Sequence, residues 1–146
     1  MNKDELKKII LEYLSQNKLM SLATCLGNKP WAATVFYAYD LDLNIYFISR
    51  ADTKKIQNLS KNPNVSVVIN EYQPKKGTVK GIQLEGSAKV LSKAENRESL
   101  DLYRKRFSWA DDYLGDHELF KITPNFIRYL DDELFGPGGK EELILN

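Results

Sequence analysis

The spacing of apolar residues in the first third of the chain predicts one helix followed by three strands. Apolar residues recur every three or four positions over residues 3–16, and Asn2 precedes Glu5 by three positions, as in a capping box. Three short runs rich in apolar, β-branched or aromatic residues follow, at 19–26, 31–39 and 44–49. The short connections between these runs predict an antiparallel meander.

The rest of the chain continues with strands and occasional helices. Pro63 ends a polar stretch with apolar residues three apart, which predicts a short helix over residues 54–61. A further helix is predicted over 94–107, and further strands at 64–72, 80–91, 119–122 and 126–130. The last two are either separate strands or one strand interrupted by a bend. A glycine-rich joint at 136–139 leads into a short tail.

About six strands joined mostly by short turns predict a mainly β fold, an antiparallel barrel with peripheral helices. Strands and helices do not alternate regularly, which disfavours a doubly wound parallel sheet. The length of 146 residues fits a single domain over residues 1–146.

Composition excludes several classes of protein. Hydrophobic residues make up 42% of the chain and charged residues 28%, as in ordinary globular proteins. No uncharged apolar stretch approaches the ~18 residues of a membrane helix, and the first residues lack the apolar segment of a signal peptide, so we expect a cytoplasmic protein. One cysteine excludes an internal disulfide, and one cysteine with one histidine cannot form a four-ligand Cys/His zinc site.

The net charge of +1 conceals an uneven distribution. Residues 50–80 hold seven basic and two acidic residues, whereas residues 107–146 hold three basic and nine acidic ones. The middle segment is therefore where we expect an anion to bind, although solvated lysines on polar turns explain the charges equally well. Binding of single-stranded nucleic acid is the least favoured interpretation, because only the middle third is basic.

Thr53, Lys54 and Lys55 stand at the start of the helix predicted over 54–61. Lysines there face the positive end of the helix dipole, which is mildly unfavourable until an oxyanion binds. Backbone N–H groups, a hydroxyl and two ammonium groups would then converge on a phosphate. Asp52 offers an alternative, since it can cap the helix and offset the lysines without a ligand. Residue chemistry alone leaves both interpretations open.

The other reactive side chains have ordinary explanations. His117 lies among acidic residues and is interpreted as a structural or solvated histidine. Cys25 lies in an apolar run and is interpreted as a small buried hydrophobic residue. The aromatic residues of 31–39 and 44–49 are better explained by barrel packing than by a slot for a planar ring.

Several segments together carry a family resemblance over about residues 19–130. They are Leu22-Ala23-Thr24, Gly27 to Ala33, Ile45 to Ser49, Thr53 to Leu59, Asn62 to Val65, Gly81 to Gly86 and Tyr103 to Phe107. In this order and spacing they resemble the pyridoxamine 5′-phosphate oxidase-like, FMN-binding split-barrel proteins, and the last two are similar to a small, mostly uncharacterised subgroup. The resemblance implies a six-stranded antiparallel split β-barrel and a homodimer with two flavin sites at the subunit interface.

The same resemblance implies which residues bind FMN. In the family, the end of the second strand and the third strand contact the isoalloxazine ring, and a basic pair after the third strand holds the phosphate. The matching residues here are Ala33, Thr34, Val35, Phe36, Ile48, Ser49, Lys54 and Lys55, with Thr53 as a hydroxyl donor. Gln83 either reaches the flavin or turns toward solvent.

The resemblance implies a flavin-dependent oxidoreductase with a small-molecule substrate and an electron donor such as NAD(P)H. The cofactor would carry out the redox chemistry, and the protein would supply orientation and a pocket that excludes water. An arginine that helps hold the phosphate in the true oxidases is matched here by Ala33, and their C-terminal substrate-binding arginine and histidine have no counterpart. Oxidation of pyridoxamine phosphate itself is therefore not expected. The alternative is a non-catalytic module of the same fold that binds flavin or haem.

Overall fold

A computed structural model describes residues 1–72, 74–76 and 78–145, and within them one antiparallel sheet has eight strands. The strands are β1 (Leu19–Leu26), β2 (Lys29–Phe36), β3 (Ala38–Tyr39), β4 (Ile45–Ser49), β5 (Asn64–Asn70), β6 (Lys80–Leu91), β7 (Glu118–Asp131) and β8 (Lys140–Ile144). The helices are α1 (Lys3–Gln16), α2 (Lys54–Lys61), α3 (Arg97–Arg106) and the short α4 (Asp132–Phe135), with a 3-10 turn at Ala110–Asp112.

The sheet runs in the order β2-β1-β5-β6-β7-β4-β3, and β8 pairs with β7. It curls into the predicted split barrel. The six strands expected from the sequence correspond to β1, β2, β4, β5, β6 and β7, to which the structure adds the two-residue β3 and the C-terminal β8. The helices over 3–16 and 54–61 have their predicted bounds.

Two details differ from the sequence predictions, and one alternative is decided. The meander stops after the β1–β2 hairpin, because β4 pairs with β7 rather than with β2. Of the two alternatives for 119–122 and 126–130, the structure has one interrupted strand, β7, with a register shift where Glu85 and Gly86 of β6 face it. The tail predicted after 136–139 is strand β8, since Leu143 packs into the core at 3% exposure.

The main core lies between α1 and the inner face of the sheet. Leu6, Ile10 and Leu14 form the buried stripe of α1, which packs on apolar residues of the strands. The buried Tyr37 hydroxyl, between β2 and β3, donates to the Leu14 carbonyl at 2.8 Å. This hydrogen bond holds the C-terminal end of α1 next to the residue that connects β2 and β3.

A smaller apolar cluster joins α3 and the loop before β7 to the outer side of β4. Tyr103, Phe107 and Leu119 are buried in it together with Ile48. The Lys93 ammonium donates to the carbonyls of Leu114 and His117, at 2.8 and 3.0 Å. These contacts fix the loop between α3 and β7 beside β2 and β4. No helix in the described part of the chain is long and apolar enough to cross a bilayer.

Candidate flavin-binding site

Helix α2 is anchored by the side that faces the sheet. Ile56 and Leu59 are buried in the core, and the Asn58 side chain donates to the Thr24 hydroxyl at 3.1 Å. One residue past the helix, Asn62 donates to the carbonyl of Cys25 at 3.0 Å. Helix α2 is therefore held against β1.

The N-terminus of α2 is not capped by a side chain. Thr53 occupies the N-cap position without a capping hydrogen bond, and the first turn contains no acidic residue. The hydroxyl of Thr53 instead donates to the Arg50 carbonyl at 3.2 Å and lies 3.2 Å from the Ser49 hydroxyl. The first backbone N–H groups of the helix have no carbonyl partner within it, so they can receive an acceptor from outside.

Asp52 does not offset the lysines of this turn. Its carboxylate forms two hydrogen bonds with the Arg50 guanidinium, at 3.1 and 3.0 Å. The hydrogen bond and charge of Arg50 lower the pKa of Asp52. Of the two interpretations that the sequence left open, capping by Asp52 is therefore excluded by the structure.

The two lysines occupy different environments. The Lys54 ammonium lies 4.2 Å from the centroid of the Trp31 ring, a cation–π contact. Lys55 is half-buried, its ammonium donates to the Thr53 hydroxyl at 3.4 Å, and burial lowers its pKa. Within the described residues neither ammonium has a carboxylate partner. Burial removes water from around the Lys55 ammonium, and a bound anion would supply favourable contacts in place of that water.

A cleft of about 570 Å³ opens beside the ends of β2 and β4. Four residues that the family resemblance assigns to the flavin ring line one side of it: Thr34, Val35, Phe36 and Ile48. The other side is formed by α3 and the loop that follows it, through Tyr103, Trp109, Tyr113 and His117. The Tyr103 hydroxyl donates to the Phe36 carbonyl at 3.3 Å, which holds α3 against the end of β2.

Consecutive residues of β4 lie at the cleft and at the start of α2. Ile48 lines the cleft, and the buried Ser49 directs its hydroxyl to the Arg50 carbonyl at 2.9 Å and toward Thr53. Ala33 lies on β2 between Trp31, under Lys54, and Val35, in the cleft. Of the ten residues predicted to bind FMN, four therefore line one cleft, and Ser49, Thr53 and Lys55 form a hydrogen-bonded group at the start of α2.

Gln83 lies away from these residues within this chain. Along the sheet, Thr34 faces Ser21, Ser21 faces Val68, and Val68 faces Gln83. Three strand spacings separate Gln83 from Thr34, about 14 Å. The Gln83 amide oxygen accepts from Arg128 at 3.3 Å on the exposed face of the sheet.

His117 is the feature of this cleft that the sequence interpretation missed. It is one of the cleft-lining residues rather than a solvated side chain, and its Nδ1 lies 2.7 Å from an Asp116 carboxylate oxygen. The signal was its spacing, because Trp109, Tyr113 and His117 stand four residues apart. Their rings contact one another in sequence, with centroids 5.6 and 5.5 Å apart.

A family model described as pyridoxamine 5′-phosphate oxidase matches residues 6–131. Among curated relatives, General stress protein 26 of Bacillus subtilis is 28% identical over 132 residues, 89% of this chain and 91% of the relative. A UPF0306 protein of Photorhabdus laumondii is 28% identical over 108 residues, 73% of this chain and 76% of the relative.

Solved structures share the fold at lower identity. The haem storage protein HutZ of Vibrio cholerae superposes with a TM-score of 0.71 at 17% identity, covering 95% of this chain and 94% of that one. An FAD-binding protein of Mesorhizobium loti has a TM-score of 0.65 at 23% identity, with 82% and 88% covered. The split barrel, the order of its segments and the match over most of its length agree: the chain belongs to the pyridoxamine 5′-phosphate oxidase family.

Proposed function

We propose that the protein binds FMN and acts as a flavin-dependent oxidoreductase. The observation that carries this proposal is the half-buried Lys55 ammonium, which has no carboxylate partner in the described structure and stands at an uncapped helix start. A phosphate dianion at this position would accept hydrogen bonds from backbone N–H groups and from Lys55. Lys54, on the adjacent Trp31 ring, would add a second positive charge.

The two parts of the site suit a ligand that carries a phosphate at one end and a flat ring system at the other. Ser49 and Ile48 connect the phosphate position to the cleft, whose walls are mostly apolar. Thr34, Val35 and Phe36 would contact one edge of the isoalloxazine ring. When bound, FMN would supply hydride transfer, while these side chains would orient the ring and exclude water from it.

A homodimer is part of the proposal, because β2 is exposed along most of its length. Large apolar side chains on β1, β2 and β5 stand uncovered: Leu19, Trp31, Phe36 and Val68 are 41–47% exposed. An open strand beside such a patch is normally covered in a stable protein. A second copy placed there would close the flavin site from the outside, and NAD(P)H would serve as the electron donor.

The direct test is retention of FMN by the purified protein. After incubation with excess FMN and desalting, the absorbance spectrum should show close to one flavin per chain, and sedimentation should show a dimer. Reduction of the bound flavin by NADPH or NADH, with turnover of an acceptor, would separate an enzyme from a flavin store. A protein that emerges colourless would contradict the proposal.

Haem is the second candidate ligand, because the cleft contains His117 with its Nε2 unpartnered among the described residues. An imidazole nitrogen of this kind can ligate iron. The structural neighbour HutZ is described as a haem storage protein. Addition of haemin should shift and sharpen the Soret band in a way that His117→Phe abolishes if haem binds here, and should leave the spectrum of free haemin unchanged if the cleft is a flavin site. The cytoplasmic location stays a prediction.

A further inference from the structure

We propose that the side of the cleft formed by α3 and the loop after it, next to the proposed flavin ring, takes an uncharged planar ring compound whose O–H or N–H group donates a hydrogen bond to His117 Nε2. This inference rests on the proposed function for the identity of the neighbouring cofactor. It adds the class of the second ligand and the residue that selects it.

The aromatic rings that line the cleft suit a flat, apolar ligand. The rings of Phe36 and Trp109 meet edge to face with centroids 5.0 Å apart, and Trp109 contacts Tyr113 in the same way at 5.6 Å. Trp109 also packs on the buried Phe107 at 5.1 Å. Rings supported by one another keep their orientation, so a planar ligand can stack on them with little loss of side-chain freedom.

His117 lines the cleft, and only one of its two ring nitrogens, Nε2, has no partner among the described residues. Its Nδ1 lies 2.7 Å from the Asp116 carboxylate, which also pairs with the Arg50 guanidinium at 3.4 Å. The hydrogen bond from His117 and the charge of Arg50 lower the pKa of Asp116, so it is a carboxylate that accepts from Nδ1–H. With Nδ1–H donating to Asp116, the lone pair of the uncharged imidazole lies on Nε2, where it can accept from a donor on the ligand.

The charges around the cleft disfavour an anionic ligand. Neither lysine nor arginine is among the described residues that line it. Two cations contact the His117–Asp116 pair: Arg50 is already neutralised by the carboxylates of Asp116 and Asp52, and Lys93, which does not line the cleft, donates to the backbone carbonyls of Leu114 and His117. A phosphate ester would therefore have no cation of its own here, in contrast to the start of α2.

The backbone of the His117 loop is held in place independently of any ligand. The Lys93 ammonium bridges the carbonyls of Leu114 and His117. The histidine is only 20% exposed, so its ring position is set before a ligand arrives. A preformed acceptor of this kind selects ligands by the presence of a donor rather than by size alone.

The test compares three probes with the same ring system on the FMN-loaded protein by calorimetry. 2-Naphthol carries the donor, 2-methoxynaphthalene lacks it, and 2-naphthyl phosphate is anionic. We expect 2-naphthol to bind roughly 2- to 12-fold more tightly than the ether, the range of one neutral hydrogen bond. The phosphate ester should bind more weakly than either.

Variants assign that preference to its source. His117→Phe keeps a ring against Tyr113 but removes both nitrogens, so the naphthol-to-ether ratio should fall to about 1. Asp112→Asn removes a carboxylate from the same loop without touching His117 and should leave the ratio unchanged. Without any variant, the Nε2 ¹⁵N resonance of the chain's single histidine should shift with 2-naphthol and not with the ether.

The outcomes separate this inference from the proposed function. If FMN binds but 2-naphthol shows no preference over the ether, or the phosphate ester binds best, the inference is overturned while the flavin proposal stands. If FMN does not bind but the protein alone shows the preference and the histidine shift, the flavin proposal fails and the His117 site stands. Displacement of 2-naphthol by FMN would show that the cleft belongs to the flavin alone and would also overturn the inference.

Discussion

Replacing Lys55 by methionine should separate the affinity for FMN from the affinity for riboflavin. Methionine keeps the unbranched apolar stem that packs at the start of α2 but removes the ammonium. Riboflavin has the same ring system as FMN and no phosphate. If Lys55 binds phosphate, only FMN should lose affinity.

The structure allows the size of this effect to be worked out. The Lys55 ammonium is half-buried, has one weak contact at 3.4 Å and has no carboxylate partner in the described residues, so nothing competes with a bound phosphate for it. A hydrogen bond to a charged group contributes about 1.5–3 kcal/mol. At 1.4 kcal/mol for each factor of ten, FMN should bind roughly 10- to 150-fold more weakly. Riboflavin should change by less than about threefold.

The assay titrates each flavin with protein and measures the quenching of the flavin's fluorescence. Lys61→Met is the matched control, because Lys61 is an exposed lysine in the last turn of the same helix. It removes the same charge from α2 and should leave the ratio of the two affinities unchanged. Equal losses for FMN and riboflavin with Lys55→Met would refute a phosphate role for this residue.

Three further predictions concern stability. Burial lowers the pKa of Lys55, so the folded protein binds this proton less tightly than the unfolded chain. In denaturant titrations of the ligand-free proteins, the unfolding free energy of wild type minus that of Lys55→Met should therefore rise with pH just below 10.5, although buried tyrosines whose pKa is raised make both proteins less stable there. Gly86→Ala should lower the unfolding free energy by about 1–3 kcal/mol, and with it the denaturation midpoint, because the new Cβ would lie 2.6 Å from the Thr123 carbonyl opposite the register shift. A midpoint equal to that of wild type would contradict the close approach seen there. Tyr37→Phe should cost about 1 kcal/mol, since it removes the buried hydrogen bond to Leu14, with Tyr72→Phe, an 85% exposed site, as the neutral control.

The sequence predicted those elements whose boundaries have a local cause. Helix α1 begins where Asn2 accepts from the Glu5 backbone at 2.9 Å, and α2 stops before Pro63. Strand β8 was mistaken for a tail because the short helix α4 and a glycine-rich joint separate it from its partner β7. Pairing of that kind is decided by tertiary packing rather than by local propensity.

The residues of the candidate site also differ in whether a local sequence pattern could predict them. Thr53, Lys54 and Lys55 are neighbours in sequence, so the physics of a helix start was enough to single them out. The contribution of His117 depends on how the loop after α3 folds back on β2, and its acidic neighbours suggested a solvated surface. Asp116 is in fact its hydrogen-bond partner. Local patterns could likewise not predict which strands lie next to Gln83. The structure places Gln83 three strands from Thr34.

The central claim is the position of the phosphate, and a crystal structure of the protein loaded with FMN tests it most directly. We expect the phosphate within hydrogen-bond distance of the backbone N–H groups that open α2 and of the Lys55 ammonium, with the ring against Thr34, Phe36 and Ile48. Electron density for the phosphate anywhere else, with Lys54 and Lys55 directed into solvent, would contradict it.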